Sequence, residues 1–423
     1  MDLSPDQLRV HDAILDWLRN PREQLLTVGG WAGCGKSTIL GELAKHFPKP
    51  VAYIATTGRA SSVLANKLAA SGARPTTLMR PPNGKPLKRA YRHLFDPSLP
   101  ETGGPPLCST LHRLMFKPII DSQTEELKGW TARDVLDRQY KRIIMDEASS
   151  VSDDMLRVIQ VHRIPILAVG DHGQLGPVRA SGALMQNPML RLETIHRQAE
   201  GSSIIALSKH VREGGWLKDF RGWDEHCVLR KRSETEAVVR ETLAEPNRLD
   251  VVMIAWMNKT RVELNRIARR LQGYDGQPPF PGEPIIALHN YGAICNGMRG
   301  LLAKPSFMDE RRNWILHANV EFPDDGMAGE WHEMNGHQFN RQRTFASIDE
   351  LRQCGIPAET MGGGGRLFDN GYCLTAHKAM GSQFAHAVVV VDRPEKPGED
   401  DWRRWIYTSA TRAQTKLTIV GSS

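Results

Sequence analysis

The run Gly30-Trp31-Ala32-Gly33-Cys34-Gly35-Lys36-Ser37 meets every fixed position of G-x-x-x-x-G-K-[ST]. Its flanks agree with it: Leu25-Leu26-Thr27-Val28 reads as a buried strand, and Ser37 to Phe47 as a helix. In that order, a strand, a glycine loop and a helix let the backbone curl until its N–H groups face a phosphate, and the positive end of the helix adds to the attraction. Gly30, Gly33 and Gly35 supply the curl, Lys36 a charge for the β- and γ-phosphates, and the Ser37 hydroxyl a ligand for Mg²⁺. A glycine-rich turn that binds nothing is the bland alternative, and the agreement of all fixed positions with their context weighs against it.

At 423 residues the chain has room for about two or three domains. No apolar run approaches the ~18 residues needed to cross a bilayer, and Met1 to Asn20 lacks the apolar stretch of a signal peptide. We therefore expect no membrane contact and a cytoplasmic setting. Cys34, Cys108, Cys227, Cys295, Cys354 and Cys373 are scattered without a C-x-x-C pair, which points to neither a zinc site nor a disulfide framework. Cys34 lies near a helix N-terminus, where a lowered thiol pKa would make it sensitive to alkylation; a small buried filler is the equal alternative.

A formal charge of +7 suits a polyanionic partner and equally an ordinary soluble protein. The distribution says more. From Leu43 to Phe95 there is no Asp or Glu, yet there are ten Lys and Arg residues, an arrangement that is costly unless something anionic lies against it. Met79 to Leu107, rich in Pro and Gly, sets Lys85, Lys88, Arg89 and Arg92 around Tyr91. It reads as an insertion: an accessory nucleic-acid arm, slightly ahead of a solvated loop.

Ser4 and Pro5 open a helix carrying Gln7, whose amide can donate to and accept from adenine; a merely solvated glutamine is the commoner case. Val51 to Ala55 is a second buried strand running into Thr56-Thr57, where phosphate contact and simple turn chemistry are evenly matched. Arg142 to Met145 forms a strand that ends on Asp146-Glu147, one carboxylate for Mg²⁺ and one to orient or deprotonate water. Ile164 to Val169 ends on Gly170-Asp171-His172-Gly173-Gln174, with Gln174 as a neutral partner for a γ-phosphate. A second α/β unit starts with the strand Val251 to Ala255 and the helix Asn258 to Leu271, whose apolar stripe is core. From about Pro284 to Asn370 short strand-like runs between turns read as a small all-β insertion. The α/β pattern resumes with Cys373 to Phe384 and closes on Arg412 and the strand Lys416 to Val420.

In this order and spacing the segments closely resemble the motif set of superfamily 1 helicases, in the 5′→3′ branch (superfamily 1B) that includes RecD and the phage Dda helicase. Gly170-Asp171-x-x-Gln174-Leu175, His377-Lys378-x-x-Gly381-Ser382-Gln383 and Tyr407-Thr408-x-x-Thr411-Arg412-Ala413 are the most specific pieces. The resemblance implies two RecA-like parallel-sheet domains. The first spans 1–190, with the basic insertion 79–107 and a pin at about 116–139. The second is 191–285 with 371–423, interrupted by an SH3-like insertion at 286–370.

It implies Gln7 as adenine reader, Lys36, Ser37, Asp146, Glu147 and Gly381 in the ATP and Mg²⁺ machinery, Gln174 as γ-phosphate sensor, and Arg197 and Arg412 as arginines reaching the γ-phosphate. Thr56, Thr57, Thr110, His112, Asn258, Thr375, His377 and Lys378 are similar to the family's single-strand contacts. The implied partners are single-stranded and forked duplex DNA, with single-strand-binding or replication proteins, and the implied state is a monomer. A nucleic-acid-dependent ATPase that remodels complexes without unwinding, or an RNA-directed helicase, is the alternative. Trp31 where the family often has Pro, and Gly176 where it often has Pro or Arg, depart from the pattern.

Overall fold

A computed structural model describes residues 3–44, 46–47, 50–70, 76–77, 107–120, 127–132, 140–177, 182, 184–194, 202–291, 294–357, 364–392 and 398–421. The chain divides into two compact units, Met1–Ala199 and Glu200–Ser423. In the first, β1 (Leu25–Gly30), β2 (Val51–Ala55), β3 (Thr76–Thr77), β4 (Leu107–Thr110), β7 (Arg142–Met145), β8 (Ile166–Gly170) and β9 (Leu190–Leu192) form a parallel sheet in the order β3-β4-β2-β7-β8-β1-β9. β5 (Phe116–Ile120) and β6 (Leu127–Ala132) pair antiparallel outside it. β9 pairs with β1 from Val28↔Leu190 to Gly30↔Leu192, which carries the first unit past the boundary at 190 that the sequence suggests.

Side-chain alternation explains why this sheet is covered on both faces. Leu26, Val28, Val51, Tyr53, Ile144, Leu167 and Val169 point to one core, with Val10, Ile14 and Leu18 of the helix Pro5–Arg19 and Leu40 and Leu43 of the helix Lys36–Leu43. Their strand neighbours Ala52, Ile54, Ile143, Met145, Ile166 and Ala168 point to the opposite core, closed by Leu111, Leu114 and Ile159.

The second unit holds a parallel sheet of β10 (Cys227–Arg230), β11 (Val251–Ala255), β17 (Cys373–Thr375), β18 (Phe384–Val390) and β19 (Ala413–Val420), in the order β10-β19-β18-β11-β17. Between β11 and β17 the chain inserts an antiparallel sheet of β12 (Pro284–Ala287), β13 (Arg299–Met308), β14 (Ile315–Phe322), β15 (Met327–Asn335) and β16 (Phe368–Asn370). The α/β class with an inserted antiparallel β-sheet is therefore the observed architecture, a short helix (Ile348–Gln353) lying between β15 and β16. Among the described residues no helix is long and apolar enough to cross a membrane.

Three buried arginines fasten the inserted sheet to the α/β body of this unit. Arg299 donates to the carbonyls of Gly371 (3.0 Å), Leu249 (3.0 Å) and Val251 (2.9 Å). Arg261 pairs with Asp369 at 2.6 Å, and Arg269 with Glu283 at 2.9 Å. Glu283 also accepts from the Tyr372 hydroxyl (2.9 Å) and the Phe280 N–H (2.6 Å). Glu283→Ala should therefore leave a buried guanidinium uncompensated and lower the unfolding free energy by about 3–5 kcal/mol. The check is a urea titration, in which the midpoint falls while the slope stays constant.

Candidate functional site

β7, β8 and β1 are neighbours in the first sheet, so their C-terminal tips lie side by side. From β1 the chain enters the phosphate loop, where Gly33 (φ 87°) and Gly35 (φ 83°) take the left-handed conformation that side chains disfavour. The helix Lys36–Leu43 starts immediately after, so its N-terminal amides belong to the loop. The Lys36 ammonium donates to the carbonyls of Gly30 (2.6 Å) and Trp31 (2.9 Å). Lys67 donates to the Ser37 hydroxyl at 2.8 Å.

Gln7 is buried and committed. Its Nε2 donates to the Cys34 carbonyl (3.2 Å), and its Oε1 accepts from the Ser4 N–H (3.0 Å) in a capping box. A Cβ on Gly35 would stand 2.2 Å from Gln7 Nε2, so the amide nitrogen packs directly against the loop it supports. Cys34 does not have the lowered pKa that its place near a helix N-terminus suggests. The side chain is fully buried, and burial pushes the thiol up, beyond what the Lys36 charge returns.

At the tip of β7, Asp146 Oδ1 accepts from the Glu147 N–H (3.0 Å), and Asp146 is buried. Glu147 holds φ 53°, a conformation uncommon for a long side chain and frequent at working sites. Its carbonyl accepts from Ser150 Oγ (3.0 Å), which in turn lies 2.6 Å from Thr56 Oγ1. At the tip of β8, fully buried Asp171 grips the loop that carries Gln174. Its Oδ2 accepts from Gln174 Nε2 (3.3 Å) and its Oδ1 from the Gly173 N–H (3.0 Å). Asp171 belongs to the glycine-punctuated motif of the sequence, and its hold on that loop is visible only in three dimensions.

Of the expected strand contacts, Thr56 and Thr57 follow β2 and Thr110 ends the adjacent β4, with Ala55 and Thr110 in register. Thr57 Oγ1 accepts from the Ala60 N–H at 3.1 Å, the turn chemistry weighed against phosphate contact. His112 is exposed, its ring 4.8 Å from that of Phe116. The second unit repeats the arrangement: Asn258 follows β11, Thr375 ends β17, and Ala255 and Thr375 are in register.

Asp392 organises this edge without any sequence signal, accepting from the N–H groups of Trp256 (2.7 Å) and Met257 (2.9 Å) just before Asn258. Lys378 donates to Asn296 of the inserted segment at 2.5 Å, and burial, with the Arg261 charge adding to it, pushes its pKa down to about 8. Gly381 has φ 78°. Arg412 is buried and donates to the carbonyls of Thr408 (3.0 Å) and Ser382 (3.3 Å) and to Thr411 Oγ1 (3.1 Å). Arg197, residues 79–106 of the basic insertion 79–107, and 121–126 and 133–139 of the pin lie outside the described residues.

Residues 2–233 match the family model described as AAA domain, and residues 370–420 the one described as UvrD-like helicase C-terminal domain. Among solved structures the chain is similar to the Pif1 helicase from Bacteroides in complex with ADP-AlF3 and ssDNA, at 16% identity over 100% of this chain and 93% of that one, with a TM-score of 0.54. It is similar to the two coordinating Pif1 helicases at forked dsDNA (16% identity, 99% and 92% covered, TM-score 0.53). The Pif1 helicase from Candida albicans is a third (16% identity, 100% and 95% covered, TM-score 0.51). At this identity the likeness is one of fold.

The thiol geometry carries its own prediction. With iodoacetamide at about pH 7, the less buried Cys354 should be modified in the native protein while Cys34 is not, because neither access nor thiolate is present at the phosphate loop. Peptide mass mapping reads the result.

Proposed function

We propose, on the premise that this chain belongs to the AAA-domain family and carries a UvrD-like helicase C-terminal domain, and is thus a superfamily 1B helicase, that it hydrolyses ATP to move 5′→3′ along single-stranded DNA and to separate duplex strands. The observation that carries this reading is the adjacency of three strand tips bearing Lys36, Asp146 with Glu147, and Gln174.

Lys36 exchanges its loop carbonyls for the β- and γ-phosphates of ATP, and the glycine loop with the helix N-terminus receives the rest of the triphosphate. Mg²⁺ suits the donors present: Ser37 and Asp146 offer hard oxygens, and this ion otherwise prefers phosphate oxygens and water. When bound, it neutralises charge on the phosphates. Glu147 orients or deprotonates the attacking water, and Gln174 senses the γ-phosphate. Arg412 and Arg197 supply positive charge as that group leaves.

Two strand-contact sets, Thr56, Thr57, Thr110 and His112 on one unit and Asn258, Thr375, His377 and Lys378 on the other, hold the polynucleotide. Hydrolysis removes the acceptor of the two arginines, and a grip that differs between the ATP and ADP states becomes directional stepping. The β5–β6 pair acts as the pin that parts the duplex. The grip is mainly on phosphates, so it is insensitive to base sequence and weakened by salt.

Lys36→Ala should reduce DNA-stimulated ATP hydrolysis by about 100-fold or more while single-strand affinity changes little. Forked duplexes with 5′ or 3′ tails, in DNA and in RNA, test the rest: the wild type should release the labelled strand only from the 5′-tailed DNA fork. Hydrolysis without release would support the remodelling ATPase instead, and preference for the RNA fork the RNA-directed helicase.

Lys378 adds a pH signature. A phosphate contact favours its charged form, so binding draws a proton onto a group that loses it at about pH 8 when the strand is absent. Single-strand affinity should be full below that value and decline as pH rises through it. In Lys378→Arg the decline should disappear, as fluorescence anisotropy of a labelled oligonucleotide would record.

A further inference from the structure

We propose that Trp31 and His172 form a strut through which the phosphate loop sets the position of Gln174, which makes both of them positioning residues for hydrolysis. The inference rests on the reading of Gln174 as the γ-phosphate partner and goes beyond it by naming what holds that glutamine in place.

Trp31 occupies a position that the phosphate-loop pattern leaves open, and His172 one that the Gly170-Asp171-x-x-Gln174 pattern leaves open. Their ring centroids are 3.8 Å apart, with the planes inclined at 52°. The contact joins two loops that leave neighbouring strands, for Gly29 of β1 is in register with Gly170 of β8.

His172 has little room to move independently. A Cβ on Gly29 would meet His172 Nδ1 at 3.0 Å and Pro188 Cγ at 2.3 Å, so the imidazole lies close to the β1 backbone in a seat that glycine keeps open. On its other side Asp171 pins the loop through the Gly173 N–H (3.0 Å), the Gln174 N–H (3.2 Å to the Asp171 carbonyl) and the Gln174 amide (3.3 Å). A displacement of the ring therefore reaches Gln174, two residues on.

At the Trp31 end the lever is Lys36. Its ammonium has three donors, and two are spent on the carbonyls of Gly30 (2.6 Å) and of Trp31 itself (2.9 Å). When Lys36 turns to the β- and γ-phosphates it gives up those carbonyls; the Trp31 carbonyl keeps the Cys34 N–H (3.2 Å) but loses the ammonium, so the peptide that carries the Trp31 ring is held less tightly. The ring contact passes that change to His172, so arrival of the γ-phosphate at Lys36 and placement of Gln174 are coupled. A close aromatic pair biases an equilibrium by about two- to tenfold, which sets the size of the effect.

The test is steady-state ATP hydrolysis at saturating single-stranded DNA, together with ADP affinity, for Trp31→Ala, His172→Ala, the double variant, Trp31→Phe and His172→Phe. Each alanine variant should lose about three- to tenfold in kcat, with KM for ATP and ADP affinity within about twofold of wild type. The double variant should be no slower than the slower single, since the two act through one contact. The phenylalanine variants, which keep a ring, should recover most of the rate. Losses that multiply in the double variant, KM or ADP affinity that shifts in step with kcat, or failure of phenylalanine to rescue would each overturn the strut. Lys36→Ala run alongside separates the two levels: turnover retained there removes the ATP-site reading itself, whereas turnover lost there with wild-type rates in the alanine variants removes only the strut.

Discussion

A parallel sheet buried on both faces can carry charge only where its strands end, because an ionised side chain inside either core would have to be stripped of water without compensation. β1, β2, β7 and β8 obey this rule, with apolar side chains alternating between two cores. The polar chemistry of the first unit is therefore forced to the tips. Lys36, Asp146 and Gln174 come together because the sheet order makes β7, β8 and β1 neighbours and because no other part of those strands could hold them.

Loops at such an edge have few packing contacts of their own, and here buried polar side chains hold them. Gln7 supports the phosphate loop through Cys34, and Asp171 supports the Gln174 loop through both carboxylate oxygens. In the second unit Asp392 does the same for the start of the helix Asn258–Leu271. Each of these groups is removed from water and gains partners only in one backbone arrangement, so each specifies geometry as much as it stabilises. Glu147, held at positive φ at the tip of β7, shows that the edge of the first sheet tolerates local strain where the surrounding contacts over-determine the backbone.

The inserted antiparallel sheet is integrated into its unit by the same means. Arg261, Arg269 and Arg299 leave the helix Asn258–Leu271 or β13 and end on carboxylates or carbonyls within the unit. Ion pairs this deep contribute little net stability compared with apolar packing, since desolvation offsets much of the attraction. They do fix orientation, and the Lys378 contact to Asn296 draws the insertion into the edge where Asn258 and Thr375 stand.

The strand–loop–helix around Lys36, the strand ending on Asp146 and the helix Asn258–Leu271 were all legible in the chain, because hydrophobic periodicity and glycine spacing are local properties. So was the β character of the insertion, from its short runs between turns. The same periodicity hid the polar side of that helix: its apolar stripe is core, yet Arg261, Asn265 and Arg269 are buried too, against partners many residues away such as Asp369 and Asn370. The Cys34 thiol was open to two readings in one dimension, and burial beneath the phosphate loop decided between them. By itself the sequence determined which residue types the site would hold and which strands would carry them. Only the tertiary structure decided which buried groups would clamp those loops, because hydrogen-bond partners such as Asp392 and Met257 are chosen by proximity in space, which spacing along the chain does not encode.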